Sequence, residues 1–172
     1  MANKDALREL QRRLSERLSA AKTQQSGKSW LAVECGGRGF LFPLREAGEI
    51  FPMTNIQAVP HAQGWFLGVA NLRGHLHGVV DLARFLGVNR VDLSRDQARL
   101  VGFNQQCNIN CALLVERLSG LRSEEQLTAD KDEISARPAF VGVRYRDAAG
   151  RSWQELNLLE LAGNESFLKV AA

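Results

Sequence analysis

Cysteine is scarce in this sequence, long apolar runs are missing, and neither sign of charge dominates. Three cysteines, Cys35, Cys107 and Cys111, are an odd number in a chain of 172 residues. The fold therefore does not depend on a disulfide framework, and free thiols packed as small hydrophobes are expected. The longest apolar stretches, such as residues 111–115, fall far short of the ~20 residues that cross a bilayer as a helix. The first twenty residues carry charges throughout, without the unbroken apolar segment of a secretory leader, so the cytoplasm is the expected location. No Ser-His-Asp order, paired acidic metal box or Walker-type loop is present, and no phosphotransfer histidine stands on a recognisable helix. The reading is of a protein that is not an enzyme and holds no cofactor.

What is there is an ordinary globular composition, 45% hydrophobic and 24% charged, enough to bury a full core. The net charge is +3, but its placement matters more than its size. Residues 1–28 hold seven basic and three acidic side chains, a local excess of +4, so the rest of the chain sums to −1. A nucleic-acid binder would carry its basic face on the folded body. Only the leading segment is basic.

Within that segment Leu7, Leu10, Leu14, Leu18 and Ala21 recur at intervals of three and four. The spacing predicts an amphipathic helix with arginines on its other faces, capped by Asn3 and followed by a linker at 24–27. The leucine stripe is expected to pack on the body or on a partner, since it lacks the bulky aromatics of a membrane-surface helix. From Trp30 onward, turn residues arrive every eight to twelve positions, the pattern of a β-barrel or sandwich. Strands are expected at 29–35, 39–44, 49–53, 56–59, 67–72 and 75–80, enough for one small barrel. A second set, 98–103, 110–115, 140–146 and 151–156, implies a second barrel or an extended sheet. Gly36-Gly37-Arg38-Gly39 reads as a hairpin turn, because the apolar, proline-stopped run after it is no phosphate-binding helix. Asp81 is placed to cap a short helix at 82–86 that Gly87 ends. Residues 157–170 are leucine-rich and read as helical.

Trp65-Phe66-Leu67-Gly68-Val69-Ala70-Asn71-Leu72-Arg73-Gly74, followed by Gly78-Val79-Val80-Asp81-Leu82, resembles the signature of CheW-like coupling proteins. An apolar pair precedes Gly-Val, Asn-Leu-Arg-Gly follows, and an apolar strand ends in Val-Asp-Leu, in order and at the family's distances. Glu46-Ala47-Gly48-Glu49-Ile50 falls where the family has a segment ending in Glu-Ile. The resemblance covers about residues 30–161, resting beyond Arg90 on strand spacing. It implies a mainly β fold of two five-stranded SH3-like β-barrel subdomains sharing an apolar core, with an added N-terminal and a C-terminal helix. The implied division is 1–28 as basic helix and linker and 29–172 as the CheW-like domain with its two intertwined barrels. The extra helix points to the PilI-like branch that serves type IV pilus chemosensory arrays in twitching motility.

The function the resemblance implies is a non-catalytic adaptor. It would join the cytoplasmic tip of a methyl-accepting chemoreceptor to the regulatory domain of a CheA-type histidine kinase, meeting the membrane only through the receptor array. The matching arginine, Arg73, would pair with Glu49 near a receptor-facing groove that Ile50, Val69 and Leu72 line or support. The plainer readings are a surface turn arginine and ordinary core packing. Leu67 departs from the family, where that position is often basic. His75, His77 and Asp81 share one strand parity, but a metal needs further ligands and an orienting shell, and Asp81 is more simply a helix cap. Cys107 and Cys111 lack the second ligand pair of a zinc site. The alternative reading is a small-barrel nucleic-acid binder with a basic arm, against which the balanced body weighs.

Overall fold

A computed structural model describes residues 6, 8–17, 27–89, 95–131 and 136–172. Residues 8–17 form helix α1. The body follows as β1 (Ser29–Cys35), β2 (Arg38–Pro43), β3 (Ala47–Pro52), β4 (Phe66–Leu72), β5 (His75–Asp81), α2 (Leu82–Leu86), β6 (Arg99–Phe103), β7 (Cys111–Val115), β8 (Arg117–Ser123), β9 (Leu127–Ala129), β10 (Val141–Asp147), β11 (Ser152–Leu156), α3 (Leu158–Ala162) and α4 (Glu165–Leu168).

The strands make two sheets, one ordered β8-β1-β2-β11-β10-β9 and the other β3-β6-β7-β5-β4. In the first, the edge strands β8 and β9 are consecutive, joined by a single 3-10 turn at Glu124–Gln126. They act as one bent strand, which closes the sheet into a five-stranded barrel. In the second, the Gln57 and Val69 backbones exchange two hydrogen bonds, of 2.8 and 2.9 Å, tying the chain just after β3 to β4. The second sheet keeps β3 and β4 as its outer strands, drawn together by this one bridge. The fold is mainly β, as expected.

The barrels are nested rather than consecutive. The strands before Asp81 do not build one barrel, because β2 lies parallel to β11 and β5 lies parallel to β7. Two N-terminal strands join the last four to make the first barrel, and β3 to β7 make the second between them. Alternation within β1 shows how the layers share a core. Trp30 and Ala32 point into the first barrel with Leu41, Tyr145 and Trp153. Leu31 and Val33 point the other way, into a cluster with Phe40 and Phe42 and with Val80, Val101 and Leu113 of the second barrel. Strands buried on both faces carry continuous apolar runs, which is why Cys111-Ala-Leu-Leu-Val115 is buried throughout.

Several local expectations change. The 56–59 strand is reduced to the Gln57–Val69 bridge, and the helix over 157–170 is two short helices broken at Gly163 and Asn164. Strands β8 and β9 have no counterpart in the sequence reading. The α2 expectation holds: Asp81 accepts the Arg84 N–H at 3.3 Å, and Gly87 ends the helix with φ 68°. All three cysteines are buried, and none is in a disulfide. Leu10 and Leu14 of α1 are more than half exposed, so the described part of the stripe does not pack on the body. Asn3, Leu7, Leu18, Ala21 and most of the linker lie outside the described residues.

Candidate functional site

The β4–β5 hairpin turns through two residues with positive φ, Arg73 at 50° and Gly74 at 81°. This is the primed turn whose twist suits a two-residue hairpin. Leu72 and His75 pair on either side of it, and the Asn71 side chain accepts the Gly74 N–H at 2.8 Å. The turn thus holds Arg73 at the hairpin tip with its side chain free to leave the barrel. Closure of the second barrel brings that tip to β3, where Arg73 Nη2 lies 2.8 Å from Glu49 Oε1. Both side chains are open to solvent, at 76% and 43%. The pair is therefore an exposed one, worth less than about 1 kcal/mol to the fold.

The other predicted residues separate into surface and support. Ile50 is exposed at 39% and follows Glu49 on β3. Val69 is half-buried and fixed by its double hydrogen bond to Gln57. Leu72 is 4% exposed and packs inside the second barrel with Val79, Leu100 and Leu114, so its contribution is to hold the hairpin. Leu67 packs partly buried against the same cluster. Leu76, on the outgoing arm of the hairpin opposite Asn71, is 63% exposed. The sequence reading passed over it in favour of its histidine neighbours, although a leucine between two polar residues at a hairpin tip already marked it.

Those histidines do not assemble a site. His77 Nδ1 lies 3.0 Å from the His75 carbonyl oxygen, and its ring sits 6.1 Å from Phe51. Asp81 is committed to α2 and to Arg84, 3.5 Å away. Among the described residues no three His, Cys, Asp or Glu side chains come together as metal ligands.

A model of the CheW-like domain matches residues 29–165. Protein PilI of Pseudomonas aeruginosa is 29% identical over 164 residues, covering 93% of this chain and 89% of that protein. A probable chemotaxis protein CheW of Rhizobium etli is 34% identical over 68 residues, 40% of this chain and 44% of that one. The crystal structure of the scaffolding protein TtCheW from Thermoanaerobacter tengcongensis superposes with a TM-score of 0.63, covering 77% of this chain and 92% of that one, at 17% identity. The shared signature, the nested pair of barrels and the span of the matching model together place this chain in the CheW-like domain family.

Proposed function

We propose that this chain is a non-catalytic chemosensory adaptor that joins a methyl-accepting chemoreceptor tip to the regulatory domain of a CheA-type histidine kinase in the cytoplasm. The observation that carries the reading is the Arg73–Glu49 pair, presented to solvent from the hairpin tip and β3 beside exposed Ile50. Its guanidinium and carboxylate offer one fork and one acceptor to a partner surface, and Val69 and Leu72 fix the strand behind them. Leu76 adds an apolar contact on the same hairpin. No helix among the described residues is long and apolar enough to cross a membrane, and association with the membrane runs through the receptor. The likeness to Protein PilI over nearly the whole chain supports the branch that controls type IV pilus twitching motility.

The test is co-purification of the full chain with a receptor cytoplasmic fragment and, separately, with a kinase regulatory domain. Arg73→Ala should lose the receptor and keep the kinase. Retention of both removes the pair from the receptor site, and capture of neither by the unaltered chain removes the coupling role.

A further inference from the structure

The outer face of the first barrel carries a second feature, on strands remote from the Arg73 hairpin. β2, β11 and β10 are neighbours in that order. Trp153 and Tyr145 point into the barrel, so by alternation Ser152, Gln154, Arg144 and Arg146 point out. Gly39 faces the Trp153 ring, which a Cβ there would meet at 2.5 Å, and this turns Arg38 outward as well. The register sets Arg144 opposite Gln154 and Arg146 opposite Ser152, with Gln154 beside Phe40 on β2. The result is a cleft of about 490 Å³ lined by Arg38, Arg144, Arg151, Ser152 and Gln154.

The arginines of this region differ in one respect. Arg151 is held by the buried Glu34 carboxylate, and Arg146 by Asp130 at 3.0 Å. The side chains of Arg38 and Arg144 have no ion pair or hydrogen bond among the described residues, and both are exposed. Two uncommitted guanidinium forks thus line one cleft on a body whose charge outside the first 28 residues sums to −1. Planar forks favour carboxylates, which they hold with two parallel hydrogen bonds, and Ser152 in the lining of the same cleft offers a hydroxyl as a further donor.

We propose that the cleft between Arg38 and Arg144 docks a short acidic segment of a protein partner, its carboxylates pairing with the two guanidiniums. The charge pattern favours a peptide over a nucleic acid. A phosphate backbone repeats its charge along a continuous stripe, whereas here Asp147 follows Arg144 and Arg146 on β10 and Asp130 pairs with Arg146, so the basic charge is interrupted. The docking does not rest on the coupling role.

The experiment is fluorescence anisotropy of a fluorescein-labelled hexaglutamate peptide with the full chain at low salt. Arg38→Ser/Arg144→Ser should weaken binding at least about tenfold, the cost of two charge-assisted contacts, with an unchanged melting temperature because both residues are exposed. Arg8→Ser/Arg17→Ser, which removes charge from α1 instead, should leave it within about twofold, and added salt should weaken binding of the unaltered chain. Absence of binding, a loss shared equally by the two double variants, or a loss confined to the α1 pair overturns the proposal. Tighter binding of a single-stranded oligonucleotide through Arg38 and Arg144 overturns the choice of a protein segment.

Discussion

The Glu46 carboxylate, in the turn between β2 and β3, accepts the backbone N–H of Leu158 at 3.1 Å and so caps α3 from more than a hundred residues away. Asn157 occupies the N-cap position without making a side-chain cap of its own. The contact fastens the connection between the two barrels to the C-terminal helices. Burial pushes the Glu46 pKa up, nearby Glu155 adds to this, and the bond from Leu158 and the charge of Arg45 offset it only in part. A carboxyl raised in the folded state is easier to ionise in the unfolded chain. Its contribution is full below its ordinary pKa and declines as pH rises through the raised value. Glu46→Gln keeps an acceptor for Leu158 without the buried charge, so it should raise stability at pH 7 by up to about 1 kcal/mol. The difference should close near pH 4, as followed by denaturant unfolding. Glu46→Leu, which leaves the helix N–H unsatisfied, should instead cost about 1–3 kcal/mol.

Gly68, in the middle of the β4 signature, has φ 135°, and a Cβ there would lie 2.0 Å from the Gln57 carbonyl oxygen and 2.6 Å from its carbon. The second barrel closes at this point, where backbone meets backbone and no side chain can yield. Gly68→Ala should therefore cost about 3 kcal/mol or more, combining backbone strain with a forced opening of the Gln57–Val69 bridge. Gly64→Ala, at a glycine with nothing within 4 Å, is the control and should change the melting temperature little. Thermal unfolding of the two variants measures the contrast.

How much of this was legible depended on whether the cause was local. The β4–β5 hairpin, the Asp81 cap and the Gly36-Gly37 turn follow from side chains and glycines acting within a few residues, and each formed where the sequence placed it. The family motif supplied the Arg73–Glu49 pairing, which no local pattern shows. β8 was missed because Gly120, at φ 87°, and the bulge opposite Ala32 and Val33 break its alternation, and β9 because three residues carry no period. The nested barrel order depends on parallel pairings between strands far apart in the chain. The 157–170 segment reads as helical on its leucine content alone, which does not register the break at Gly163 and Asn164. Arg38 and Arg144 drew no notice because their cleft exists only once β2, β11 and β10 are neighbours.

The thiols should be inert until the fold opens. Burial pushes the Cys111 pKa up to about 12. Cys107 is raised by burial and by the Glu46 charge, and Cys35 is fully enclosed. At pH 8 the thiolate fraction of Cys111 is about one part in ten thousand, and only the thiolate attacks a disulfide reagent. Native protein should give almost no colour with Ellman's reagent over minutes, and three equivalents in guanidinium chloride. A fast equivalent in the native state would mean that one of these layers is open.

Arg73 holds a backbone conformation that suits it poorly. The left-handed region costs a residue with a Cβ about 1 kcal/mol, and asparagine and glycine are the usual occupants of such a turn. The ion pair with Glu49, exposed on both sides, returns too little to repay that cost. An arginine there makes sense for what its side chain does beyond the fold, so stability and coupling should move in opposite directions. Arg73→Asn is expected to hold or raise the melting temperature while weakening receptor capture at least tenfold, or about 1.4 kcal/mol. Arg73→Lys keeps the charge but loses the planar fork, and should fall between the two in binding. If Arg73→Asn lowered stability by 2 kcal/mol or more and left capture intact, the arginine would be a structural brace and the receptor contact would lie elsewhere on the barrel.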